Sequence, residues 1–457
     1  MESWSGFAKL GVGLVAVACP PSSLPRFTVV PPGPVTDRIQ VELRLAVPNP
    51  RPQAKTYQVH FYWDEAQSHG LIARQTVTAP PHGFAFANAW SATTGRTGLH
   101  RLLYRVESEA AIQTGDWALE VVPSQTPALP RLQGIWIEPF AALSSSQGQD
   151  APETEHTLRG SMDTMKRLGM NVLIIAYVEY GGTFFYPSRL EFYDRDVQRM
   201  ARGEECPFDV VGTILSQADQ NAMHVFLGLG RGGDTHLLWE FEKADWPERN
   251  AAALDLGKRV AQELWERYQH HPSFYGWYFT HEMNDLAKAS AYYNPLADFC
   301  HSLSPDKPVL VAPAGTPIIT PQSLLQSQVD IFAYQDAVGA GYVPYRYTYH
   351  PENRLAMLDE VYTRYRDWHA PAPKHLWSTL EIWEMDGRQG YGGSYPAAFQ
   401  RVKRQIEIEA KYVQMLTGYA YFGFLQGPQT RGRSQDGRAL RLYQEYADYL
   451  KALGNPD

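Results

Sequence analysis

The sequence predicts a (β/α)₈ barrel preceded by a small all-β, immunoglobulin-like sandwich, an α/β chain overall, on two observations. From Gly134 onward short apolar runs alternate with amphipathic helical stretches, the signature of βαβ units and a parallel sheet. Upstream of that point several runs alternate apolar and polar residues with period two and show no helical pattern.

In chain order, residues 1–25 read as a secretory or lipoprotein signal and tether. Lys9 precedes the apolar stretch Leu10–Ala18, too short to span a bilayer but suited to a signal h-region. Ala16-Val17-Ala18 fits a small-x-small cleavage site, and Cys19 directly after it offers a lipid anchor. An extracytoplasmic address is therefore expected, whether periplasmic, cell-surface or secreted. The prolines at 20, 21, 25, 31, 32 and 34 then read as a tether.

Residues 26–124 are expected to form the sandwich, with strands at Ile39–Val47, Tyr57–Trp63, Ala73–Thr78, His100–Val106 and Trp117–Val122. The Cys-Trp-Cys core of antibody domains is missing, so the likeness is architectural. Residues 125–131, within a Pro-rich run, read as a linker, and 132–457 as the barrel. Its strands are expected at Leu132–Ile137, Val172–Val178, His224–Leu229, Phe274–Thr280, Pro308–Ala312, Asp330–Tyr334, His375–Leu380 and Gly418–Phe424. Helical patterns fall at Glu155–Leu168, Phe208–Asn221, Ala251–Tyr268, Pro321–Gln328, Arg354–Trp368, Ala397–Leu416 and Leu440–Leu453.

Composition narrows the function. The 457 residues suit a barrel plus an accessory module, and 44% hydrophobic content fills a large core. A net charge of −8 without any polybasic run argues against nucleic acid and anionic membrane surfaces as partners. No stretch is apolar and long enough to be a transmembrane helix. Aromatics reach 13%, most of them for the core and some for stacking on sugar rings. Cys206 and Cys300 are free or paired; the sequence leaves this open. HExxH and CxxC spacings, a serine elbow and a P-loop are all lacking, so neither metal nor cofactor is expected.

Glu282 follows the fourth expected strand and Glu381 the seventh. In (β/α)₈ barrels the reacting residues project from the C-terminal ends of strands. Two carboxylates there equip a chain for glycoside hydrolysis, one as proton donor and one as nucleophile or base. In the retaining glycosidases of clan A the acid/base ends strand four and the nucleophile ends strand seven, and this chain is similar in that placement. The resemblance implies Glu282 as acid/base and Glu381 as nucleophile. Clan A members carry Asn directly before the acid/base where this chain has His281, and no Arg ends strand two.

A wider resemblance rests on Gly134-Ile135-Trp136, Met170–Ile174, Val225–Leu229, Phe274–Tyr278, the run Asp330–Gly339 (DIFAYQDAVG) and Leu380–Trp383, in that order. Together they resemble a bacterial barrel family catalogued as a domain of unknown function and grouped with glycosidase barrels. It implies the fold and a glycan-related role, and no particular substrate.

Other strand-end residues are candidates for gripping substrate. Glu138 and Glu179 end strands one and two, and Arg231 follows strand three. Gln335 and Asp336 end strand six, and His281 precedes Glu282. Glu138 or Asp336 is also a fallback base for an inverting enzyme. Trp136, Tyr177, Tyr180, Trp277, Tyr334, Trp383 and Tyr391 are candidates for stacking. The expectation is a monomeric, retaining glycoside hydrolase with a carbohydrate substrate. The main rival is a non-catalytic carbohydrate-binding barrel serving polysaccharide export or assembly, followed by a deacetylase or lyase on the same scaffold.

Overall fold

The computed structural model describes residues 24–108, 111–143, 153–190, 206–232, 234–341, 351–385, 394–428, 430 and 437–454. The expected signal segment up to residue 23, with Cys19, and the stacking candidate Tyr391 lie outside them.

The N-terminal strands are β1 Arg26–Val30, β2 Val35–Thr36, β3 Gln40–Pro48, β4 Lys55–Trp63, β5 Leu71–Ala79, β6 Phe84–Ala92, β7 Gly98–Ser108 and β8 Ala111–Val122. They form two sheets, β1-β3-β6 and β2-β8-β7-β4-β5. Alternation places Val41, Leu43 and Leu45 of β3 and Leu102, Tyr104 and Val106 of β7 in one shared apolar core. Three strands escaped the sequence reading. β1 and the two-residue β2 lie among prolines, and β6 (FAFANAWSA) is Ala-rich, which lowers its strand signal.

The barrel begins with β9 Gly134–Ile137 and β10 Val172–Ile175, followed by a short hairpin, β11 Glu179–Tyr180 with β12 Thr183–Phe184. It continues through β13 His224–Gly228, β14 Phe274–Phe279, β15 Val309–Val311, β16 Ile331–Gln335 and β17 His375–Glu381. A second hairpin, β18 Trp383–Met385 with β19 Ser394–Pro396, precedes β20 Met415–Tyr419. Eight parallel strands close where Thr417 pairs with Gly134 and Gly418 with Ile135. The helices are α1 Pro139–Leu143, α2 Glu155–Arg167, α3 Val210–Gln220, α4 Trp246–Tyr268, α5 Leu286–Leu303, α6 Pro321–Gln326, α7 Pro351–His369, α8 Phe399–Glu409 and α9 Gly437–Ala452. Local chemistry starts several of them. Thr154 and Asp209 accept N–H bonds at the starts of α2 and α3, and Asp285 does so for α5. Cys206 and Cys300 are both free thiols.

The eighth strand corrects the sequence reading, lying at 415–419 rather than Gly418–Phe424. Thr417 apart, the run from Met415 to Leu425 carries only apolar residues, aromatics and glycine, so hydrophobicity alone cannot place the strand within it. Past Tyr419 the chain turns, with Leu425 N–H bonded to Tyr421 C=O and Gly423 at φ +95°. The helix before it accordingly stops at Glu409 instead of running to Leu416.

The Pro-rich segment is also no tether over its described part. Pro32 and Pro34 carbonyls accept bonds from Trp117 and Gln133, and Asn171 donates to the Gly33 carbonyl. Residues 127–129 are likewise packed, with Ala128 N–H bonded to Ala410 C=O. β3 is buried on both faces because its second face covers the N-terminal end of the barrel. There Arg44 contacts Asp330 at 2.9 Å and Glu42 at 3.1 Å, and His375 contacts Glu42 at 3.2 Å. Trp90 stacks on His375 with ring centres 4.5 Å apart. The sandwich thus closes the end of the barrel opposite the reacting face.

Candidate active site

Strand parity decides which side chains reach the barrel mouth. A Cβ on Gly276 would strike the Phe226 ring and the Pro308 carbonyl, so β14 admits only glycine where the interior is already filled. Two residues on, Tyr278 packs edge-on against Trp136 at 4.7 Å. Two further steps give Glu282, half-buried, whose charge acts on Tyr278, on Tyr419 and on the Arg231 guanidinium.

Arg231 enters from the loop after β13. Burial opposes its charge, but Glu282 and the tyrosines 278, 419 and 180 outweigh that and raise its pKa. Its buried Nε has no hydrogen-bond partner among the described residues. Trp136 forms the floor, 2% exposed, its indole N–H donating to Thr417 Oγ1 at 3.2 Å. Glu138, just past β9, is half-buried and accepts a short hydrogen bond from Tyr419 Oη. Tyr177 is buried nearby; burial first, then Glu138 and Tyr180, push its phenol well above the usual range. Its ring lies 5.0 Å from Tyr180, which in turn lies 6.3 Å from Phe140, an outward-facing ring on α1 that is 55% exposed. The structure therefore brings Trp136, Glu138, Tyr177, Arg231 and Glu282 together at one mouth.

The remaining candidates sit in the walls. Glu179 is fully buried, its two oxygens accepting from Gly182 N–H at 2.7 Å and Gly232 N–H at 2.8 Å, so it pins the loops after β10 and β13. His281 has the opposite parity to Glu282 and packs against Tyr292 of α5. Burial, then Arg231, brings its pKa down to about 4, so it is neutral at pH 7. Tyr334 faces α7, stacked on Tyr365 at 4.0 Å and bonded to His369 at 3.0 Å; it stacks on no ligand from there. Trp277 likewise turns outward to Trp265 and Ser304. Gln335, half-buried, donates to the Ala312 carbonyl at 3.2 Å across to the end of β15. Trp383 is 8% exposed, near Phe424. Asp336 is fully buried and fully engaged, accepting from Val338 N–H, from Glu381 N–H and from Gln405 Nε2. That removes it as a free base.

Glu381 ends β17 in the same wall. Its Oε2 accepts from Ala340 N–H at 2.6 Å, and its carbonyl accepts from Arg401 and Gln405 of α8. Gly339 packs against it so closely that an added Cβ would meet the Glu381 side chain and the Trp383 carbonyl. Only 5% exposed, its carboxyl is pushed up to about 8, by burial first and by Asp336 next, against Ala340 N–H, Arg401 and Arg354. Thus the distinctive run Tyr334–Gly339 serves to seat Glu381.

Sequence reasoning missed Tyr278, Tyr419 and Phe140. Two steps of two residues back from Glu282 reach Tyr278, so parity held that signal. Tyr419 was concealed by the misplaced eighth strand. Among the described residues no group of three or more His, Cys, Asp or Glu side chains is placed to hold a metal ion, and no helix is long and apolar enough to cross a membrane.

Residues 132–432 match the sequence profile of a family described as a domain of unknown function, DUF4434. The chain belongs to this family. A search of curated proteins finds no match for the DUF4434 chain. Among solved structures it is similar to one from Bacteroides thetaiotaomicron VPI-5482, provisionally described as an alpha-L-fucosidase. They share 19% identity over 70% of this chain and 93% of that one, with a TM-score of 0.50. A GH2 beta-galacturonidase from Eisenbergiella tayi is matched at 13% identity over 95% of this chain and 73% of that one, with a TM-score of 0.46. At such identities the likeness shows the fold alone.

Proposed function

We propose that the protein is a glycoside hydrolase acting on a poly- or oligosaccharide, with Glu282 as the acid that protonates the leaving oxygen. The observation that carries this is the mouth cluster. Half-buried Glu282 acts on Arg231, Tyr278 and Tyr419, and Trp136 packs against both tyrosines, at the barrel end where this fold places its chemistry. The similar solved structures described as glycosidases agree with that class without fixing it.

Retention through Glu381 is the mechanism that strand-end placement suggests. A nucleophile must be ionised, whereas burial and Asp336 push the Glu381 carboxyl toward its neutral form. The placement therefore supports Glu282 more firmly than its partner.

The test is fragment release from a panel of bacterial and plant polysaccharides by wild type and by Glu282→Gln. The expected result is product from wild type and a loss of at least about a hundredfold in the variant, the scale of a general acid. Glycan bound tightly but never cleaved would replace this reading with the carbohydrate-binding barrel.

A further inference from the structure

We propose that the second functional carboxylate is Glu138, fixed as a general base by Tyr419, and that the bond is cleaved with inversion. This rests on the glycosidase reading and deepens it.

The closing seam of the barrel builds the pair. β20 and β9 are hydrogen-bonded neighbours, and their C-terminal ends deliver Tyr419 and Glu138 side by side. Tyr419 Oη donates to Glu138 Oε1, which spends the phenol proton on one carboxylate oxygen and leaves the other for water. The Tyr419 ring is itself held, tilted against Trp136 at 5.8 Å, and is half-buried. The bond fixes the orientation of the Glu138 carboxyl, which a base aimed at water requires.

Both carboxylates act on one group. The Tyr419 phenol is pushed well above its usual range by burial first, then by Glu138, with Tyr177 and Glu282 adding to it. Glu282 and Glu138 therefore flank the same ring from different strands. β14 and β9 are separated around the barrel by β10 and β13, so the two glutamates project from strands that are not neighbours. Inverting enzymes hold their two carboxyls roughly 6.5–9.5 Å apart to leave room for water. Glu381 offers no such opening, since Ala340 N–H occupies its Oε2 and Gly339 closes on its flank.

In the step itself Glu138 accepts a proton from water as the water oxygen bonds to the anomeric carbon. The glycosidic C–O bond breaks, its electron pair passes to the leaving oxygen, and Glu282 protonates that oxygen. Proton exchange with solvent then resets both carboxyls. Tyr419 touches neither bond and is a positioning residue.

The experiment is proton NMR of the first anomer that wild type releases from a polysaccharide it cleaves, which needs no variant to fold. Inverted configuration is expected. Glu138→Gln should lower kcat by about 10²–10⁴-fold, the range of general base catalysis, and by at least about tenfold more than Glu381→Gln does. Tyr419→Phe should lower kcat with KM unchanged, because Glu138 loses the donor that holds its carboxyl in place. A retained anomer overturns the proposal and leaves the glycosidase reading standing, as does a Glu138→Gln enzyme with wild-type kcat. No product from wild type on any glycan removes both.

Discussion

Arg44 of the sandwich and Asp330 of the barrel meet at 2.9 Å in a largely buried ion pair that joins the two parts of the chain. Burial opposes the Asp330 charge, yet Arg44 and His301 outweigh it and hold its carboxyl far below the usual range. Removing one partner of such a pair strands the other without solvent. Arg44→Ala should therefore cost about 3–5 kcal/mol of unfolding free energy, read from urea midpoints. Arg44→Ala with Asp330→Asn should cost less than the sum of the two single changes, because the stranded charge has gone. A wild-type midpoint in Arg44→Ala would show that the sandwich contact contributes nothing to stability.

Two glycines separate packing from flexibility. Gly339 touches the Glu381 side chain and the Trp383 carbonyl, whereas a Cβ on Gly160 of α2 would meet open space. Gly339→Ala should destabilise by about 1–3 kcal/mol through overpacking and lift Ala340 N–H off Glu381. Gly160→Ala should stabilise by about 0.5–1 kcal/mol, since alanine is the better helix former. Opposite shifts in thermal midpoint are the expected pattern; equal shifts would contradict the packing described for the loop after β16.

These residues also show where sequence could see and where it could not. The barrel was legible because each strand is a compact apolar run with a helix of period 3.6 behind it. It failed at β20, where the apolar run carries on past Tyr419 to Leu425 and no charged residue marks the strand's end. The site was legible as far as Glu282, since a strand end points to the mouth whatever surrounds it. The division between mouth and wall was not. Glu138 and Glu179 stand at equivalent strand ends, yet Gly182 and Gly232 from two separate loops take up Glu179, whereas Tyr419 donates to Glu138. Such pairings join positions up to 281 residues apart, beyond the reach of periodicity.

The raised Glu381 pKa makes stability depend on pH. The group lies at about 8 when folded against roughly 4.3 in an unfolded chain. Between those values the folded state holds the proton and the unfolded state does not. Its contribution is fully present below about pH 4.3 and is lost as pH rises through 8. Glu381→Gln cannot ionise, and its amide oxygen can still accept from Ala340 N–H. The variant's thermal midpoint relative to wild type should therefore rise between pH 5 and pH 8.5. A constant difference across that interval would place the ionised carboxylate in the folded state.

Phe140 offers a clean probe of substrate contact. Its ring is 55% exposed and meets Tyr180 at 6.3 Å on the rim, so its loss leaves no cavity. Trp136 is a poorer probe, because at 2% exposure its truncation would cost about 3–5 kcal/mol and disturb the floor. Phe140→Ala should leave the unfolding free energy within about 0.5 kcal/mol of wild type. If the ring stacks on a sugar, an aromatic contact is worth about 1 kcal/mol, which corresponds to about fivefold in KM or glycan affinity. The expected outcome is a raised KM for long oligosaccharides, an unchanged kcat and an unchanged KM for the shortest substrate cleaved. A fall in kcat alone would move Phe140 from the rim into the chemistry, and no change at all would remove α1 from the substrate path.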